Sequence, residues 1–191
     1  MIRISEQRIP GVYLIQFDKF TDVRGSFMEI FRNSGDKEND KYFFDPAQIN
    51  LSSSRKDVVR GLHYSLADEK QDKLITVGSG KILDTILDVR IGSATFGEHL
   101  QIELSSDGDK AVLIKSGLAH GFSVLSEMAT VIYLMSSHYQ PSLEFDINPF
   151  DPKLGIDWKT SKPVTSEKDS AAVFLESAIA GGLLPKFEDN L

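Results

Sequence analysis

The stretch Val58-Val59-Arg60-Gly61-Leu62-His63-Tyr64-Ser65 places an imidazole in an apolar, β-prone run, three residues after an arginine. Imidazole titrates near neutral pH, so His63 is either a packed core residue or a working base. A regular strand sends Arg60 and His63 to opposite faces. Gly61 sits between them, where a bulge would bring both to one side. Other residues of the right type are scattered along the chain. His120 follows an apolar strand in IKSGLAHGF, between glycines, at what reads as a loop end. Tyr133 and Tyr139 share parity in TVIYLMSSHY and would face one cavity on a regular strand, although packed core aromatics give the same pattern. Asp169 closes Ser166-Glu167-Lys168-Asp169, which reads as a helix capping box or as a carboxylate that orients a histidine. In FTDVRGSFMEIFR, Asp22 reads as a solvated edge charge. Arg24, beside a glycine at a turn, reads equally as solvated or as a forked phosphate holder.

Several chemistries are disfavoured by residue type. The 191-residue chain has no cysteine, which removes disulfides, thiolate metal sites and cysteine nucleophiles. Its four histidines, His63, His99, His120 and His138, include no H-x-H or H-E-x-x-H pair, so no metal is expected. Gly78-Ser79-Gly80-Lys81 is not a phosphate loop, because Ile75 replaces the earlier glycine and Ile82 the Ser/Thr; it reads as a turn. A net charge of −7 argues against a nucleic-acid partner but allows an anionic small molecule held by a few local cations. The N-terminal residues do not read as a signal peptide and no apolar run reaches membrane-spanning length. The expectation is therefore a cytoplasmic protein without a membrane partner.

The elements that must position these groups are mostly short strands. Residues 82–91 alternate, with Leu83, Thr85, Leu87, Val89 and Ile91 on one face and Asp84, Asp88 and Arg90 on the other. QIEL, SSDGDK and AVLIK read as strand, turn, strand, and 129–135 as a further strand. The polar run 33–41 reads as a surface loop, and 166–180 as the one helix, closing at Gly181-Gly182. Length and the lack of a linker predict one domain over 1–191, all-β, as a sandwich, barrel or jelly roll.

Singly these signals say little; their order says more. D-V-R-G-S-F-M-E, Q-I-N-L-S, V-V-R-G-L-H-Y, Q-D-K-L, G-S-A-T-F-G, L-A-H-G-F-S-V-L-S, Y-Q-P-S-L-E and D-P-K-L-G-I-D-W resemble the dTDP-4-dehydrorhamnose 3,5-epimerase family, from about residue 5 to about residue 175. That resemblance implies a cupin-type jelly roll with short C-terminal helices, assembled as a homodimer that exchanges N-terminal strands. It implies a nucleotide-diphosphate 4-keto-6-deoxyhexose substrate and no cofactor. It makes His63 the base, Asp169 its orienting carboxylate, Tyr133 the acid on the opposite face and Lys73 the cation near the enolate oxygen. Arg24, Glu29, Gln48, Asn50, Arg60, His120, Glu144 and Lys168 match substrate contacts, and Tyr139 the aromatic that stacks on the base. Ser65 departs from the pattern, where the family usually carries glutamine, and Asp146-Ile147-Asn148-Pro149 also departs. These differences bear on which carbon is inverted and on which sugar and nucleotide are used.

Overall fold

The structure, a computed structural model, describes residues 2–32, 42, 44–66 and 71–187. Its strands are β1 (Arg3–Glu6), β2 (Val12–Gln16), β3 (Lys19–Asp22), β4 (Gly25–Met28), β5 (Gln48–Arg55), β6 (Val59–Ser65), β7 (Lys73–Ser79), β8 (Lys81–Asp88), β9 (His99–Ser105), β10 (Lys110–Ile114), β11 (Leu118–Val124), β12 (Met128–Met135) and β13 (Glu144–Asp146). Two short helices follow, α1 (Glu167–Ser170) and α2 (Leu175–Ala180). A six-stranded sheet in the order β1-β2-β10-β7-β12-β5 faces a five-stranded sheet in the order β13-β6-β11-β8-β9. The strand pairings within both sheets are antiparallel, and the expected double-sheet jelly roll is the result. Among the described residues, the β3–β4 ribbon pairs with neither sheet.

Apolar side chains of both sheets meet between them: Val12, Ile75, Val77, Val112 and Val131 from one, Ile82, Ile86, Leu104, Phe122 and Val124 from the other. The outer faces are covered too. Val59, Leu62, Tyr64, Leu87 and Ala119 pack under Ile147, Leu154, Trp158, Leu175 and Ala178 of the C-terminal segment. Ile15, Leu74, Leu113 and Leu134 pack with Met28, Phe31 and Phe44. Central strands buried on both sides lose the clean alternation of a half-exposed sheet, and every residue of β11 is buried.

That double burial corrects one expectation. Asp84, Asp88 and Arg90 were expected on a polar face, yet all three are buried. Asp88 and Arg90 form a closed ion pair at 2.8 Å, with Ser93 and Thr95 hydroxyls also donating to Asp88. Asp84 points between the sheets with Ile82 and Ile86. The strand, turn, strand reading at Asp107-Gly108 holds, with β9 joined to β8 and β10 crossing to β2 and β7. One other expectation is corrected. The single C-terminal helix is broken after Ser170, where Val173 forms a parallel bridge with Ile147. The stretch 33–41 lies outside the described residues.

Candidate active site

One end of the inter-sheet interior is polar. On β7 the inward positions run Lys73, Ile75, Val77, and on β12 Tyr133, Val131, Ala129; the polar member of each lines a cavity of about 240 Å³. His63 on β6 and His120 on β11 face each other in register and enter the same cavity from the five-stranded sheet. His120 therefore sits inside a strand rather than at a loop end. The bulge expected at Gly61 is present: β11 advances by two residues from His120 to Phe122 while β6 retreats by three from His63 to Arg60. Val59 and Leu62 stay on the outer core, and Arg60 and His63 share the inner side. Gly61 has φ 113°, which favours glycine. A Cβ there would meet the Gly121 Cα at 2.5 Å.

His63 Nε2 lies 2.8 Å from Asp169 Oδ1 and 3.5 Å from Asp146 Oδ1. Both readings of Asp169 hold in part. Ser166 Oγ accepts from the Asp169 backbone N–H at 3.0 Å, as an N-cap does. The Asp169 carboxylate turns instead to the histidine and accepts the Gly61 N–H at 3.4 Å. Burial alone would raise the Asp169 carboxyl; the hydrogen bond and charge of His63, with the Gly61 and Ser166 bonds, carry it below the usual carboxylate range. With Nε2–H donated to Asp169, the neutral imidazole keeps its lone pair on Nδ1.

Tyr133 stands on the opposite sheet. Its hydroxyl is 3.3 Å from Ser52 Oγ, and burial pushes its pKa up to about 12, with Asp84 adding to the rise while Ser52 and Arg60 oppose it. It is a protonated donor at neutral pH. Lys73 is 7% exposed, and burial lowers its pKa against the pull of Glu144 and Asp146. Its ammonium donates to the His63 carbonyl at 3.3 Å. Gln48, Asn50, Tyr139, Glu144 and Lys168 line the same cavity. Tyr139 reaches it from beyond the end of β12 and is 55% exposed, so its shared parity with Tyr133 is not what brings the two rings together.

Two predicted residues stay elsewhere in this single chain. Arg24 lines a separate groove of about 470 Å³ on the β3–β4 ribbon and pairs with Asp22 at 2.6 Å. Glu29 pairs with Arg32 at 2.6 Å. Arg60 lines an adjoining cleft with His63 and Asp169 and donates to Ser54 Oγ at 2.9 Å. Three groups at the site were missed: Asp146, which accepts from Lys168 at 2.9 Å; Gln71, which donates to Glu144 at 2.9 Å; and Asp84, which meets His120 Nε2 at 2.7 Å. His63, Asp146 and Asp169 bring possible ligand atoms within 4.8 Å of one another, the group among the described residues that could hold a metal. The Lys168 ammonium already places a cation against that cluster.

The sequence and the fold agree with those of known proteins. The family model for dTDP-4-dehydrorhamnose 3,5-epimerase matches residues 6–177. The dTDP-4-dehydrorhamnose 3,5-epimerase of Mycobacterium tuberculosis is 35% identical over 99% of this chain and 95% of its own length. The dTDP-4-dehydrorhamnose 3-epimerase of Streptomyces niveus is 36% identical over 97% of this chain and 90% of its own. The crystal structure of dTDP-6-deoxy-D-glucose-3,5-epimerase from Legionella pneumophila Philadelphia 1, in complex with dTDP-4-keto-L-rhamnose, superposes with a TM-score of 0.90 at 36% identity, covering 98% of this chain and all of that one. The chain belongs to the dTDP-4-dehydrorhamnose 3,5-epimerase family.

Proposed function

We propose that this protein inverts the carbons flanking the ketone of a nucleotide-diphosphate 4-keto-6-deoxyhexose, at both C3 and C5. One observation carries the reading: His63, held by Asp169, enters the cavity from one sheet, and Tyr133, kept protonated by burial, enters it from the other. A sugar lying between them meets a base on one face and an acid on the opposite face.

The C4 ketone acidifies the hydrogens on C3 and C5. His63 removes one of these as a proton, and the C–H electron pair becomes the C=C bond of an enolate. The carbonyl π pair moves to the C4 oxygen, where the buried Lys73 ammonium offsets its charge. Tyr133 returns a proton to the carbon from the other face, and the proton on His63 and the one missing from Tyr133 re-equilibrate with solvent. No electrons leave the sugar, so the reaction needs no redox cofactor.

Binding follows from the remaining groups. Tyr139 offers an exposed ring for a nucleobase, and Arg60 and Lys168 offer cations for the diphosphate. Arg24 and Glu29 would join them through a homodimer. The β3–β4 ribbon leaves Phe20, Val23 and Phe27 exposed, and the edge strand β5 exposes Ile49 and Leu51. A ribbon laid along the partner's β5 edge would cover both sets and bring Arg24 to the partner's cavity.

A C3-only epimerase is the second reading, favoured by the equal likeness to the Streptomyces niveus 3-epimerase. The reading as an enzyme is tested by His63→Ala, in which proton exchange into the keto sugar should vanish while dTDP binding is kept. Loss of dTDP binding, with no exchange in the unmodified protein, would make it a sugar-nucleotide-binding protein instead.

A further inference from the structure

A second histidine–carboxylate couple shares the cavity. His120 Nε2 lies 2.7 Å from Asp84 Oδ1, with the two side chains 6% and 0% exposed. The other oxygen, Asp84 Oδ2, is buried and has no hydrogen-bond partner among the described residues. A carboxylate in that setting costs stability, and an apolar side chain of the same size would suit the inner faces of Ile82 and Ile86 better. A buried polar atom left without a partner asks for a role other than packing.

The couple repeats the geometry of the first. His63 and His120 are directly opposed across β6 and β11, both project inward, and both turn Nε2 to a buried carboxylate. Tyr133 approaches the His120 ring edge-on, with centroids 6.2 Å apart. The charged and titratable groups lining the cavity with His120 are His63 from β6, Lys73 from β7, Tyr133 from β12, Glu144 and Asp146 from β13, Tyr139 from beyond β12 and Lys168 from α1, and Asp84 from β8 meets His120 through its Nε2. Fixing Nε2 leaves Nδ1 for the cavity. When the couple holds two protons, it presents Nδ1–H, whichever partner carries the shared one.

We propose that Asp84 is a positioning residue for the isomerisation, holding His120 as a second proton-carrying imidazole that meets the C4 oxygen as the enolate forms. The step balances with the one above. The carbon's proton goes to His63, the carbonyl π pair goes to the C4 oxygen, and the Nδ1–H of His120 hydrogen-bonds or protonates that oxygen. The proton returns to Nδ1 as the ketone re-forms. The Lys73 ammonium and the His120 ring then share the developing charge. This inference rests on the epimerase reading.

The test uses the full-length protein with Asp84→Asn, which keeps the shape and removes the charge. Deuterium uptake from D2O into dTDP-4-keto-6-deoxyglucose should fall about 100-fold in kcat with KM and dTDP affinity unchanged. The Tm should hold or rise, because a buried charge is replaced by a neutral amide of the same shape. Uptake within about twofold of the unmodified protein would overturn the proposal and leave the epimerase reading intact. A fall in Tm matched by a loss of dTDP binding would also overturn it, making Asp84 structural. No uptake by the unmodified protein would remove the epimerase reading itself, and the proposal with it. Should the variant not fold, nitrogen-15 NMR of histidine in the unmodified protein with bound substrate decides: His120 should carry a proton on Nδ1, and a bare Nδ1 would overturn the proposal.

Discussion

Asp169 and His63, 106 residues apart in the chain, are joined by a 2.8 Å contact between Oδ1 and Nε2. The helix cap at Ser166 delivers the carboxylate, and the Gly61 bulge delivers the imidazole. Asp169→Asn should lower kcat by roughly 10²- to 10⁴-fold with a smaller effect on dTDP binding. The variant also carries a stability signature. A carboxylate held below its unfolded value stabilises the fold above the ordinary carboxylate range, and that contribution is lost as pH falls through the folded value. Thermal unfolding of Asp169→Asn should therefore depend less on pH than that of the parent below about pH 4. Calorimetry over that range checks this.

Tyr133 separates exchange from inversion. In Tyr133→Phe, His63 can still remove and return a proton on its own face. The variant should take up deuterium with retained configuration, while inverted product falls by about 10²-fold or more. Since burial holds the phenol up to about 12, the parent should show no loss of activity from Tyr133 ionisation below about pH 11. The raised value also means that this residue's stabilisation is complete below the unfolded pKa near 10 and is lost as pH rises through the folded one. Chiral analysis of the deuterated sugar, with a rate profile against pH, measures both.

Arg90 and Asp88 test the core rather than the site. Both side chains are nearly inaccessible, and Arg90 also donates to the Pro10 carbonyl at 2.8 Å. Burial would raise the Asp88 carboxyl, and hydrogen bonds from Arg90, Ser93 and Thr95 hold it below the usual range instead. Arg90→Met leaves that carboxylate uncompensated and should cost about 3–5 kcal/mol, read from the urea midpoint.

These residues show what a sequence read alone can and cannot reach. The His63 bulge was legible because a glycine between two functional residues of opposite parity has a local geometric meaning. Asp84, Asp88 and Arg90 were misread because alternation assigns charges to solvent, whereas β8 is covered on both faces and seats its charges against partners distant in sequence or just past its end. Asp146 and Gln71 lie in short segments whose only distinguishing feature is what they meet in space. Val173 breaks the final helix through a bridge to Ile147, a tertiary contact that overrides the helical preference of its alanine neighbours.

The proposed homodimer makes its own prediction. Phe27, on the exposed ribbon, is 68% accessible in the single chain. Phe27→Asp should shift the protein from dimer to monomer in light scattering. It should also weaken dTDP binding by about tenfold or more, because Arg24 would no longer reach a partner's cavity. A parent that already runs as a monomer would remove this part of the account.

The most direct measurement is proton NMR in D2O with dTDP-4-keto-6-deoxyglucose and catalytic amounts of protein. The account predicts deuterium at both C3 and C5, abolished in His63→Ala. Uptake at C3 alone would make the protein a 3-epimerase, and uptake at neither carbon, with this sugar or with its GDP-, CDP- and UDP-linked counterparts, would contradict the epimerase account.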